Sequence, residues 1–152
     1  MSGIPLRIRS FKSEDLETLC EIDRICFADD VAFSRAELLY LIHHPRSITR
    51  VGEGLGRILG FAMARLENPA CAHVLTLDVV PEARRCGIGR SLMIALHKVL
   101  SEQGIRVTIL EVSVRNLPAQ RLYKTLCFRY SETLYGYYGG IENAYRMQRT
   151  VP

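Results

Sequence analysis

The chain has 152 residues, 48% of them apolar and 24% charged, with a net charge of +4, a balance that suits one globular domain with a sizeable core. No apolar run approaches the roughly 20 residues of a membrane span, and Arg7 and Arg9 interrupt the place of a signal peptide, so the reading is cytoplasmic with no membrane partner. The five cysteines form no C-x-x-C, which argues against a disulfide framework or metal site, and the scattered basic residues argue against a nucleic-acid partner.

The alternation in "LRIRSF" predicts an opening strand. A helix follows over "SEDLETLCEIDRICF", with Ser13 as N-cap, Glu14 and Asp15 in the first turn, and Leu16, Leu19, Ile22 and Ile25–Cys26 at helical spacing. After the loop "ADDVAF", Ser34 and Glu37 form a capping box for a second helix that Pro45 ends. "SITRVGEG" and "GRILGFAMARLE" predict two strands around a Gly-rich hairpin, and "CAHVLTLDVV" predicts a third, stopped by Pro81. "SLMIALHKVLSEQG" is an amphipathic helix with Leu92, Ala95–Leu96 and Val99–Leu100 on one face and Gly104 as its C-terminal cap. "IRVTILEVSV" carries little polar relief and predicts a central strand. A short helix, "LPAQRLYKTLC", and a closing strand pair complete the order β-α-α-β-β-β-α-β-α-β-β. This is an α/β (α+β) domain with a mixed sheet of about 6–7 strands and about 4 helices over residues 1–152.

"RRCGIGR" (84–90) lies between a strand and a helix. A helix N-terminus presents backbone N–H groups without intrahelical partners, and glycines let that backbone approach a ligand closely. Arg84, Arg85 and Arg90 would add charge-assisted bonds to a phosphate. The stretch lacks G-K-S/T, so it is no Walker loop, and Leu92 stands where a dinucleotide fingerprint needs its third glycine. On its own the loop reads equally well as a structural turn.

With "LEVSVRN" (110–116), "LYKTLCF" (122–128) and "YYGGIENAYRM" (137–147), Arg84-x-x-Gly87-x-Gly89 resembles the GNAT superfamily of acetyl-CoA-dependent N-acetyltransferases. Within it, the likeness is to the protein N-terminal acetyltransferases of the ribosomal-protein-alanine type. The resemblance implies acetyl-CoA as co-substrate, with no metal. Its pantetheine arm would pair with Leu77, Asp78 and Val79 as an added strand. Its pyrophosphate would lie on Arg85, Cys86, Gly87, Ile88, Gly89 and Arg90, with Arg84 at the first position of the signature. Asn116 matches a contact to the cofactor arm.

By the same resemblance Glu111 matches the general base, and Tyr123 matches the general acid, which also touches the cofactor's sulfur. A backbone N–H near Val79 matches the oxyanion donor. Read from the residues alone, Glu111 is a carboxylate in an apolar strand, and a salt-bridged or edge position explains it as well. Burial is expected to raise its pKa into the range of a useful base. Tyr123 on its own fits an amphipathic core tyrosine. Its ordinary pKa of ~10 stands near the ~8.5 of a thiol, so proton transfer between them is feasible. Phe33, Tyr137 and Tyr138 match the walls of the peptide groove, and a strand-end aromatic cluster explains the tyrosines equally. The acceptor implied is a protein or peptide N-terminus. A small amine, or a non-catalytic acetyl-CoA-binding role, are the other readings.

Four features depart from the family pattern. Cys127 replaces a helix-capping glycine, at an expected cost of about 1 kcal/mol. Cys86 lies in the phosphate loop beside arginines, where a thiol is expected to be reactive. "AFSRAEL" replaces Pro-Trp-Ser, leaving Phe33 as the aromatic, and Gly139, Gly140 and Asn143 stand where Pro and an acid are common.

Overall fold

The computed structural model describes residues 4–28 and 31–151 and places the elements in the expected order; residues 29 and 30 of the "ADDVAF" loop lie outside them. The strands are β1 (Arg7–Ser10), β2 (Ser47–Gly54), β3 (Arg57–Asn68), β4 (Cys71–Val79), β5 (Val107–Ser113), β6 (Arg129–Tyr138) and β7 (Glu142–Thr150). The helices are α1 (Leu16–Cys26), α2 (Arg35–His43), α3 (Ile88–Glu102) and α4 (Leu117–Thr125). The seven strands form one sheet in the order β1-β2-β3-β4-β5-β7-β6, so the apolar β5 is central as expected. No helix among the described residues is long and apolar enough to cross a membrane.

Local chemistry explains most boundaries. Ser34 Oγ accepts from the Glu37 N–H, and Glu37 Oε1 accepts from the Ser34 N–H, each at 3.1 Å, which opens α2. Leu55 and Gly56, both at positive φ, make the tight turn between β2 and β3. Gly104, at φ +79, ends α3, where the N–H of Ile105 reaches back to the Leu100 carbonyl at 3.1 Å.

The first helix starts later than expected. Residues 13–15 form a 3-10 turn, and Ser13 does not cap it. Asp15 is 4% exposed, its carboxylate held below its ordinary pKa chiefly by the Arg9 guanidinium. That carboxylate also accepts the Lys12 N–H at 2.8 Å, so α1 begins only at Leu16. The buried stripe of α1 is Leu16, Leu19, Cys20, Ile22 and Asp23, while Ile25 is 61% exposed. A 100° step per residue carries Ile25 off the stripe on which Leu16, Leu19 and Asp23 lie.

Two features of β4 shape the site. Its register with β3 skips Leu75, since Met63 faces Thr76 and Ala64 faces Val74. This bulge resets the side-chain alternation. His73, Thr76 and Asp78 then reach the α1 side of the sheet, while Leu77 and Val79 pack near Gly89 of α3. The second feature is the pairing with β5, which is parallel and runs only from Cys71↔Val107 to His73↔Ile109. Beyond His73 the two strands diverge, and a gap opens between them.

Cys127 keeps the left-handed backbone of the glycine it replaces, at φ +69. The N–H of Phe128 bonds the Tyr123 carbonyl at 2.9 Å, and that of Cys127 bonds the Lys124 carbonyl at 3.0 Å, closing α4. Cys127 is exposed and its thiol adds no packing. Cys127→Gly is therefore expected to stabilise the protein by about 0.5–1 kcal/mol, read as a higher denaturant midpoint with an unchanged m-value.

Candidate active site

The gap between β4 and β5 is lined on one side by backbone. The Val80 N–H bonds the Leu59 carbonyl of the adjoining strand, so by alternation the amides of Leu77 and Val79 face the gap. The Val79 carbonyl accepts from Arg84 Nε at 3.0 Å and lies 3.4 Å from the Cys26 thiol, which donates to it. Arg84 thus folds back to join the end of β4 to the end of α1.

The loop after β4 is built for close approach. Arg85 and Gly87 adopt positive φ, at +62 and +79. A Cβ on Gly87 would meet nothing within 4 Å, so its outer face is open. Gly89 is confined instead, since a Cβ there would lie 3.3 Å from Leu122 of α4. The first bond inside α3 runs from the Ser91 N–H to the Gly87 carbonyl, which leaves the N–H groups of Ile88, Gly89 and Arg90 free at the helix N-terminus. The Ile88 side chain is buried, so only its backbone is available there. Arg84, Arg85 and Arg90 are exposed around this turn, and Arg90 also bonds Thr125 Oγ1 at 3.2 Å. Cys86 is half-buried, its thiol near the Arg84 carbonyl at 3.6 Å. Free amides, an open glycine and exposed guanidinium groups together fit a pyrophosphate.

Glu111 lies on the α1 side of β5, and its side chain is only 5% exposed. His73 Nε2 sits 2.5 Å from Oε1, and Arg146 Nε donates to Oε2 at 3.0 Å. The Tyr137 hydroxyl donates to Oε1 at 3.2 Å. Arg146 is the cross-strand partner of Glu111 and also binds Glu132 at 2.9 Å. His73 Nδ1 lies 3.4 Å from Glu67 Oε1, so the ring links the buried carboxylate to one nearer solvent.

This surrounding corrects the expected pKa. Burial pushes the Glu111 carboxyl up, but His73 and then Arg146 outweigh it and hold the group below its ordinary 4.5. The salt-bridged reading describes what is seen, and Glu111 without its partners would be a different base. His73 and Arg146 were not singled out in the sequence. The only trace of His73 was a polar residue in an otherwise apolar strand, and nothing in the spacing linked it to Glu111.

Tyr123 is 7% exposed and packs edge-on against Phe128 at 5.8 Å. Burial, with Tyr138 and Asp78 nearby, raises its phenol above the ordinary range, so it stays protonated and the expected closeness to a thiol pKa is lost. Tyr137 and Tyr138 stack edge-to-face at 4.9 Å, and burial raises both phenols. Tyr135 is 82% exposed and takes no part. Phe33 packs against the core, and its N–H donates to Asp23 Oδ2 at 2.7 Å. Asn116 Oδ1 caps α4 through the Ala119 N–H at 3.2 Å. Asn143 Oδ1 accepts from the Gly136 N–H at 2.9 Å and braces the β6–β7 hairpin. No cluster of potential metal ligands occurs among the described residues.

The gap beside β4, the open turn at the N-terminus of α3 and the buried Glu111 cluster lie together at one end of the sheet. Residues 16–128 match the Acetyltransferase (GNAT) family, and the chain belongs to that family of acetyl-CoA-using acyltransferases. It is 29% identical to an N-alpha-acetyltransferase of Sulfurisphaera tokodaii, over 95% of this chain and 93% of that protein. Ard1 of Thermoplasma volcanium superposes with a TM-score of 0.89 at 29% identity, covering 97% of this chain and 98% of that one. The ribosomal-protein-alanine N-acetyltransferase of Escherichia coli superposes with a TM-score of 0.87 at 25% identity, covering 97% and 94%.

Since Glu111 is held below 4.5, its ion pairs add stability that is complete above that value and lost as pH falls through the lower folded value. Wild type is therefore expected to exceed Glu111→Gln in thermal stability at neutral pH, with the difference closing on acidification. Parallel melting curves across the acid range would remove this role.

Proposed function

We propose that the protein transfers an acetyl group to the α-amino group of a protein or peptide N-terminus. The observation that carries this reading is the cluster of His73, Glu111 and Tyr137 at the wall of the gap, in a chain whose full-length relative is named an N-alpha-acetyltransferase. An α-amine, with an ordinary pKa of ~8, loses its proton more readily than a lysine side chain at ~10.4, which suits a site where Glu111 is the carboxylate that takes the proton.

Acetyl-CoA, when bound, supplies the activated thioester. The free amides of Ile88, Gly89 and Arg90, with Arg85 and Arg90, hold its pyrophosphate, and Leu77 to Val79 orient its extended arm. Glu111 and His73 receive the proton of the attacking amine, directly or through water, the imidazole being in contact with Glu111 Oε1. The Val79 N–H donates to the oxyanion as the amine adds to the carbonyl. Tyr123 presents its phenolic O–H to the leaving sulfur; the burial that raises the phenol equally disfavours a bare thiolate beside it, so the proton passes to sulfur as the C–S bond breaks. Phe33, Tyr137 and Tyr138 wall the acceptor groove. The attack is direct, so no cysteine nucleophile is needed. The cytoplasm is the proposed compartment.

The test is turnover of short peptides with free N-termini, beside a panel of small amines, followed by thiol release and product mass. Acetylated peptide α-amines are the expected products; acetylation of small amines alone would overturn the proposal. Glu111→Gln, His73→Phe and Tyr123→Phe are each expected to slow turnover by roughly 10²–10⁴. Wild-type rates in any of them would remove that residue from its role. Acetyl-CoA is also expected to slow alkylation of Cys86, measured by labelling and mass spectrometry. Equal rates with and without it would place Cys86 outside the cradle.

A further inference from the structure

Two buried carboxyl groups lie in the interface between α1 and β4. Asp23 is 1% exposed and Asp78 is 0% exposed. Each has one oxygen satisfied: Asp23 Oδ2 accepts the Phe33 N–H at 2.7 Å, and Asp78 Oδ1 accepts the Thr76 hydroxyl. The remaining oxygens, Asp23 Oδ1 and Asp78 Oδ2, are buried and receive no donor among the described residues. The Cys26 thiol, one helical turn after Asp23, touches the carbonyl of Val79, the residue after Asp78, so α1 and β4 bring the two side chains together across this interface. Two ionised carboxylates so placed would repel each other in a medium that hydrates neither. One proton between them makes Asp78 a donor and satisfies both bare oxygens at once.

We propose that Asp23 and Asp78 are a positioning pair whose single shared proton clamps the Phe33 segment of the acceptor groove onto the end of β4. Asp23 is the hinge of the arrangement, because one of its oxygens holds the Phe33 backbone while the other meets Asp78. The clamp closes one residue from Val79, whose carbonyl also gathers Cys26 and Arg84.

The other groups around the pair are few. Arg84, from the loop after β4, partly offsets its negative charge, and Thr76 donates to it. Cys26 on α1 and Tyr123 on α4 are neutral, each raised chiefly by burial with a smaller contribution from Asp78. The adjoining strand β3 places only Phe61 and Met63 opposite Asp78 and Thr76. Burial, and then Asp23, hold the Asp78 carboxyl well above its ordinary range. The folded state therefore keeps a proton that the unfolded chain releases. Stability from the clamp is complete below the ordinary carboxylate pKa and is lost as pH rises through the folded value.

Asp78→Asn isolates the proton, since its amide donates the same bond to Asp23 without titrating. Infrared difference spectra of wild type against this variant should show the carbonyl band of a protonated carboxyl in wild type only. On raising pH, wild type should lose thermal stability faster than the variant. The acceptor KM of wild type should rise by up to about tenfold per pH unit beyond the titration point, relative to the variant. The KM readout rests on the proposed acceptor reaction, whereas the infrared and melting readouts do not, so failure of one is separable from failure of the other. Absence of the protonated band, or equal alkaline slopes in both proteins, would overturn the proposal. Should Asp78→Asn not fold, Asp23→Asn makes the same test, because its oxygen keeps the Phe33 bond while its amide donates to Asp78.

Discussion

Strands β4 and β5 stay paired for three residues and then part, and the rest of the molecule is arranged around that divergence. A parallel pair that continued would have consumed the amides of Leu77 and Val79 in the ladder. Because it stops, those amides face a gap, and an extended amide chain can complete them as a neighbouring strand would. The same divergence sets the N-terminus of α3 at the mouth of the gap. It also leaves room for Tyr123 of α4 and for the groups around Glu111. One interruption of sheet pairing therefore places a backbone edge, a helix terminus and a titratable cluster in one place.

The charged residues of the central strands show how environment decides chemistry. Glu111 and Asp78 are both carboxyls buried beside the gap, yet their acidities move in opposite directions. Glu111 faces His73 and Arg146, and opposite charge outweighs the cost of burial. Asp78 faces another carboxyl and apolar β3 side chains, so burial and like charge prevail. The bulge at Leu75 puts His73, Thr76 and Asp78 on one side of the sheet, and without it the odd- and even-numbered residues would face opposite layers. A single extra residue in β4 is thus what lets a histidine from before the bulge and an aspartate from after it serve the same face.

The elements of the fold were legible because their signals are local. The Ser34–Glu37 box, the Gly104 cap, the Leu55–Gly56 hairpin and the unbroken apolar run of β5 each report on a few adjacent residues, and each lies where its pattern predicts. The start of α1 was misread for the complementary reason. Its position depends on Arg9 reaching across to Asp15, a contact between two elements that no local pattern encodes. Glu111 was legible as a carboxylate out of place in an apolar strand, but its acidity was not. The partners that lower it come from β4 and β7, some 35 residues away on either side.

By itself the sequence determined the order of the elements, the turn chemistry, the glycine loop between a strand and a helix, and the family resemblance carried by spaced motifs. These rest on backbone propensity and on side-chain periodicity, which act over a few residues. Only the tertiary structure decided where β4 leaves β5, which face each β4 side chain takes after the bulge, and which groups surround Glu111 and Asp78. Those outcomes follow from strand register and from charges brought together across the sheet. The energy of a buried charge depends on neighbours within a few ångströms, whatever their separation along the chain.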